Sequence, residues 1–195
     1  MKLYLVTSNE NKLREVRLLS PENIVIDSIA TIVTVREVIE NAETFMGNSL
    51  KKIEAYKELG VPLLADDSGL VIDSLGGFPG ISSARFMEGR DYPRKMEAIL
   101  NRMKGKEERT ARFICAALFY DPSREMLLGV EGKVEGSIAL EISGEDGFGY
   151  DPIFIPSGFS ETFGILGDSV KNELSHRSDA FRKLFSLVSL YNERQ

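Results

Sequence analysis

Tryptophan is absent from the 195 residues, and there is one cysteine and one histidine. A lone Cys115 excludes an intramolecular disulfide, and with a single histidine it excludes a zinc cage built on Cys and His. Long apolar runs are missing as well. The longest, residues 113–120, has eight residues, against roughly 20 for a membrane helix. The N-terminal stretch turns polar at Thr7, too early for a secretory h-region. Positive charge is in short supply: 24 Lys and Arg stand against 30 Asp and Glu, a net charge of -6. Proteins that live on a nucleic-acid backbone present a broad basic surface, so that class is disfavoured. The expectation is a cytoplasmic chain with neither nucleic acid nor membrane as partner. At 43% hydrophobic and 28% charged it reads as one soluble globular domain over residues 1–195. A small polyanion held by a few placed cations, or a divalent metal on clustered carboxylates, stays open.

The chain has no repeat or low-complexity tract. Residues 2–6 read as a short buried strand, and the polar Thr7-Ser8-Asn9 turn opens a helix to about Leu19, with Leu13, Val16 and Leu19 or Leu18 on one face. Ile24 to Ile26 suggests a second strand. From Thr44 to Leu59, Phe45, Leu50, Ile53 and Tyr56 have helical spacing. Leu63-Leu64-Ala65 forms a strand that runs into Asp66-Asp67-Ser68-Gly69, after which residues 70–72 are extended. Residues 91–103 and 175–190 read as helices. Two extended segments, 110–120 and 125–135, joined by Asp121-Pro122-Ser123-Arg124, predict a hairpin. The fold class is therefore α/β or α+β with a mixed sheet.

Five motifs could carry chemistry. Thr7-Ser8-Asn9 with Lys12 sits at a strand-to-helix junction, where exposed amides and the helix dipole favour phosphate; an ordinary N-cap explains the same residues. Asp66-Asp67-Ser68-Gly69 suits Mg²⁺, which takes one or two carboxylates and keeps waters; a β-turn with a capping Asp is the plain alternative. In Gly147-Phe148-Gly149-Tyr150-Asp151-Pro152, aromatics between glycines suit stacking on a planar ring, and Asp151 suits a base or sugar hydroxyl; the competing reading tucks those aromatics into the core. Lys171 with Ser175-His176-Arg177 offers donors to a carbonyl or phosphate; a helix N-cap at Ser175 beside a structural or surface histidine is the plain alternative. Asn48 and Lys52, four apart, share one helix face, which could equally be a solvated basic face.

Taken together, these motifs resemble the inosine triphosphate pyrophosphatase-like family. The set adds Thr44-Phe45, Gly76-Gly77-Phe78-Pro79-Gly80 and Ser83-Ala84-Arg85, and the resemblance covers nearly the whole chain in order. It implies a long central mixed β-sheet flanked by α/β lobes with an active-site cleft between them, and a homodimer. It implies hydrolysis of ITP, dITP and XTP to the monophosphate and pyrophosphate with Mg²⁺, clearing deaminated purines from the nucleotide pool. Matched to the family, Asp67 is the catalytic and metal-binding carboxylate, with Asp66 beside it. Thr7, Ser8, Asn9, Lys12, Asn48 and Lys52 fall at triphosphate positions, and Ser68 at a substrate contact. Phe148, Gly149, Tyr150, Asp151, Lys171, His176 and Arg177 fall in the nucleoside pocket. A related family of septum-inhibitor type, which prefers modified pyrimidines, shares the first-strand motif but fits Phe148 to Asp151 and Ser175-His176-Arg177 less well.

One departure stands out. The family usually carries a metal-site glutamate five residues before the helix lysine, and here that position is Gly47. Glu40 or Glu43 is expected to supply the carboxylate; the alternative is a nucleotide-binding protein with weakened or lost turnover.

Overall fold

The structure is a computed structural model, and it describes residues 1–193. Six strands form one sheet in the order β2-β1-β3-β4-β5-β6. They are β1 (Lys2–Leu5), β2 (Val25–Ser28), β3 (Leu63–Ile72), β4 (Thr110–Asp121), β5 (Met126–Ile138) and β6 (Phe154–Pro156), with helices α1 (Glu10–Leu19), α2 (Phe45–Tyr56), α3 (Tyr92–Arg102), α4 (Phe163–Leu174) and α5 (His176–Glu193). β1 pairs in parallel with β2, Leu3 opposite Ile26, and with β3, Leu5 opposite Leu64. β5 and β6 are antiparallel, Ser137 opposite Ile155. Parallel pairs linked through helices beside an antiparallel edge make this a mixed α/β sheet. No helix among the described residues is long and apolar enough to cross a membrane.

The chain divides into two compact units. The first comprises Met1–Asp67, Cys115–Gly132 and the chain from His176 onward; the second comprises Ser68–Ile114 and Lys133–Ser175. Two apolar clusters fill the first. One gathers Leu3, Leu5, Leu13 and Val16 with Phe181, Leu184, Phe185 and Val188 of α5. The other joins Val6, Ile53, Tyr56, Leu63 and Leu118. In α1 the inward face is Leu13, Val16 and Leu19, while Leu18 is 65% exposed, which resolves the choice left by the periodicity. The second unit packs Leu70, Ile72, Met96, Ile99, Met103, Phe113, Tyr150, Phe154 and Phe163.

Three findings differ from the sequence reading. Residues 66–69 are interior to β3, which runs unbroken from Leu63 to Ile72, so the turn alternative for Asp66-Asp67 does not hold. β6 is three residues long, too short to register as a period-two pattern. α4 was not foreseen: its sequence carries Gly164 and Gly167, and at Gly167 the backbone leaves helical geometry (φ 76°).

The start of α5 lies directly on β5 at Gly132. A Cβ there would run into the Ala180 amide nitrogen and the His176 carbonyl oxygen. Only a missing side chain lets the backbones approach so closely. Gly132→Ala is expected to destabilise the protein by about 1–3 kcal/mol, the usual range for overpacking, seen as a lower urea midpoint at unchanged slope.

Candidate active site

Side chains of successive strand residues point to opposite faces, and β3 applies this to two adjacent acids. Asp66 and Asp67 are both buried, at 1% and 6% exposure, in different company. Asp66 Oδ2 accepts from Lys12 Nζ at 2.9 Å and from Arg177 Nε and Nη2 at 3.3 and 3.2 Å. Cys115 Sγ lies 3.8 Å from the same oxygen. Arg177 Nη1 donates to Glu15 Oε2 at 2.6 Å, so the guanidinium is held between two buried carboxylates. Asp66 Oδ1 is buried with no hydrogen-bond partner among the described residues. Burial pushes the Asp66 carboxyl up, but the charges of Lys12, Arg177 and Lys52 outweigh it and hold the group well below the usual carboxylate range. Burial, with Asp66 beside it, pushes the Cys115 thiol up, so this cysteine is no nucleophile.

Asp67 meets α2. Asn48 Nδ2 donates to Asp67 Oδ2 at 2.9 Å, and Lys52 Nζ lies 3.8 Å from Asp67 Oδ1. Lys52 also donates to the Asp66 carbonyl at 2.8 Å and pairs with Glu40 Oε1 at 3.1 Å. α2 is seated by Ser49, whose hydroxyl donates to the Ala116 carbonyl of β4 at 2.8 Å. Burial raises the Asp67 carboxyl above its ordinary value; Lys52, Lys12 and Asn48 pull the other way, and Glu40 adds to the rise. Two neighbouring carboxylates are thus driven apart, one kept ionised and one able to take up a proton.

At the start of α1 the cap is Asn9, whose side chain accepts from the amides of Asn11 and Lys12 at 3.0 and 3.2 Å. Thr7 Oγ1 accepts from the Asn9 amide at 3.1 Å, and Ser8 is exposed. His176 opens α5 in a buried position next to Arg177. Glu43 lies exposed ahead of α2. Among the described residues no group of three or more His, Cys, Asp or Glu is arranged to hold a metal. Asp67 and Glu40 both face the Lys52 ammonium, at 3.8 and 3.1 Å.

The second unit holds the remaining candidates. Asp151 Oδ2 accepts from the Phe148 amide at 2.7 Å and from Lys171 Nζ at 2.6 Å, both side chains of that ion pair being buried. Lys171 Nζ also lies 3.9 Å from the Phe148 ring centre, a cation–π contact. A Cβ on Gly147 (φ +77°) would collide with Asp151 Oδ2, so glycine is required there. Tyr150 is buried and donates to the Ser83 carbonyl at 2.9 Å, whereas Phe148 is only half-buried. Of the two rings, Tyr150 is tucked into the core and Phe148 stays partly exposed. Ser68 is half-buried on β3.

A model of the Ham1 family matches residues 3–187. The chain belongs to the Ham1 family. A relative from Bacillus subtilis named dITP/XTP pyrophosphatase is 44% identical over 189 residues, which is 94% of this chain and 95% of its own. One of the same name from Clostridium tetani is 41% identical over 196 residues, covering 97% and 96%. The Staphylococcus aureus Ham1 protein superposes with a TM-score of 0.88 at 31% identity, over 97% of this chain and 98% of its own.

In this Ham1 chain Gly47 has a packing reason. A Cβ there would lie 2.7 Å from Ala42 Cβ and 3.1 Å from Thr44 Oγ1. The segment before α2 folds down onto that gap: Thr44 caps the Gly47 amide at 3.0 Å, and the Ala42 amide donates to Asn48 Oδ1 at 2.9 Å. Glu40 comes down with it onto Lys52. Glu15 was missed from sequence, although it stands three residues after Lys12 on one helix face, between the inward-facing Leu13 and Val16.

The two acids give opposite linkage in metal-free protein. Asp66 is lower in the folded state, so its stabilisation is complete above about pH 5 and drains away as pH falls. Asp67 is higher in the folded state, so its contribution is present at low pH and lost as pH rises. Asp66→Asn is expected to lose about 3–5 kcal/mol at pH 7, as a broken buried pair does, and to flatten the acid limb. Asp67→Asn is expected to abolish the decline on the neutral side. Urea unfolding from pH 3 to 7 in EDTA measures both.

Proposed function

We propose that this chain is a nucleoside triphosphate pyrophosphohydrolase that converts ITP, dITP and XTP to the monophosphate and pyrophosphate. The observation that carries the reading is the split pair on β3: Asp66 locked by Lys12 and Arg177, and Asp67 facing Asn48, Lys52 and Glu40 with a raised carboxyl. Asp67 is the general base that takes the proton of the water attacking the α-phosphorus. Lys12 and Lys52 neutralise charge on the departing pyrophosphate, and Thr7, Ser8 and Asn9 at the start of α1 bind phosphate oxygens. Asn48 holds the Asp67 carboxylate in place.

The residues fit Mg²⁺, a hard cation that needs one or two protein carboxylates besides substrate phosphates. Asp67 and Glu40 would hold it, and it would polarise the phosphate oxygens and lower the pKa of water. Asp66, engaged by two cations, acts through them, and the exposed Glu43 is left outside the set. The binding-only alternative draws no support from Gly47, since the close approach there is what seats Glu40.

Phe148 stacks on the purine, backed by Lys171 on its ring, with Gly149, Tyr150 and Asp151 shaping the loop and Ser68 contacting substrate. A donor at His176 suits a 6-oxo group and disfavours a 6-amino purine, while the Arg177 guanidinium, taken up by Asp66 and Glu15, acts through that pair and not on the base. A site built on such hydrogen bonds discriminates by about 10⁴ to 10⁵. In this reading the chain acts as a cytoplasmic homodimer on free nucleotide, a small substrate in keeping with a net charge of -6.

A product assay with ITP, XTP, GTP and ATP, with and without Mg²⁺, tests it. Pyrophosphate from ITP and XTP and little from ATP or GTP is the expected result; orthophosphate, or no turnover alongside ITP binding, contradicts it. Asp67→Asn is expected to lower kcat by about 10² to 10⁴. Glu40→Gln is expected to raise the Mg²⁺ concentration for half-maximal activity about tenfold, in line with loss of a carboxylate from an oxygen-ligand site, while Glu43→Gln leaves it unchanged.

A further inference from the structure

The first turn of α3 presents an aromatic ring that none of the motif residues accounts for. Tyr92 is 36% exposed, and its ring meets Tyr150 edge to face, centroids 5.4 Å apart at 84°. Gly149, left-handed at φ +72°, backs onto the same ring, since a Cβ there would lie 3.7 Å from Tyr92 Cε1. Lys95, one turn along α3, places its ammonium 5.0 Å from the Tyr92 ring centre and donates to the Ala84 carbonyl at 2.7 Å. Lys95 is buried, and a desolvated cation binds a ring face more strongly than an exposed one.

Tyr150, on the other side of Tyr92, donates to the Ser83 carbonyl. The two neighbours of Tyr92 are therefore tied to consecutive carbonyls, Ser83 and Ala84. Ser83 is itself fixed to β3, its Oγ accepting from the Leu70 amide at 2.9 Å and donating to the Gly80 carbonyl at 2.6 Å. Asp151 and Lys171 hold the 147–151 loop at its far end, so Tyr92 is the brace at the near one.

We propose that Tyr92 is a positioning residue for base recognition: its ring, held by Lys95, fixes Gly149 and Tyr150 so that Phe148 stands ready to stack on the purine. This rests on the assignment of the 147–151 loop to the base. The contact is made by the ring, so the hydroxyl is dispensable, and phosphate binding is independent of it.

IMP carries the base and one phosphate, and inorganic tripolyphosphate carries phosphates without a base. Calorimetric titration of both, with ITP kinetics, on Tyr92→Ala, Tyr92→Leu, Tyr92→Phe and Phe148→Ala separates the roles. Tyr92→Leu keeps apolar volume and serves if the alanine variant does not fold. Tyr92→Ala and Tyr92→Leu are expected to weaken IMP about five- to tenfold, the scale of one aromatic pair. KM for ITP rises by the same factor, kcat stays within about twofold, and tripolyphosphate binding is unchanged; Tyr92→Phe behaves as wild type. Unchanged IMP binding in Tyr92→Leu, with binding lost in Phe148→Ala, overturns the role of Tyr92 and leaves the loop assignment standing. Unchanged IMP binding in Phe148→Ala overturns the loop assignment and the inference with it. Equal weakening of IMP and tripolyphosphate overturns the inference as general damage.

Discussion

A carboxylate at 1% exposure stays ionised only if positive charge is buried with it, and Asp66 is such a group. Lys12 of α1 and Arg177 of α5 supply that charge, the second from 111 residues further along the chain. Glu15 then balances the guanidinium. The first and last helices are thereby drawn to one strand position. Replacing a buried ionic cluster with apolar groups is often neutral for stability, so the value of this one lies in what it places. It sets Lys12 and Arg177, and it leaves the next residue, Asp67, on the other face of β3 in a setting that pushes its carboxyl up.

Two glycines make this geometry attainable. Gly132 lets the start of α5 lie against β5, which brings His176 and Arg177 into position. Gly47 lets the chain ahead of α2 close over the helix and carry Glu40 to Lys52. In both places the absent side chain is what permits the approach. The site depends on backbone approach as much as on the charged groups themselves.

The parts legible in the sequence were those with local signals. Helix faces followed from 3.6-residue spacing, the hairpin from its turn residues, and the Asp66-Asp67 pair from two acids after an apolar strand. Other parts were not legible, for physical reasons. β6 is too short to show a period, and α4 hides behind Gly164 and Gly167. Gly47 read as a missing glutamate because a close approach depends on Ala42 and Thr44 packing, which spacing does not report. Tyr92 looked like an ordinary helix-start residue, since its partners Tyr150 and Gly149 lie more than fifty residues away in the chain.

The two acids of β3 have opposite tendencies, and carboxyl-carbon NMR titration of metal-free protein reads them one by one. The prediction is that Asp66 shows no titration down to the acid limit of the fold, while Asp67 takes up its proton above the ordinary carboxylate value of about 3.9. Superimposed titrations of the two near that value would contradict it.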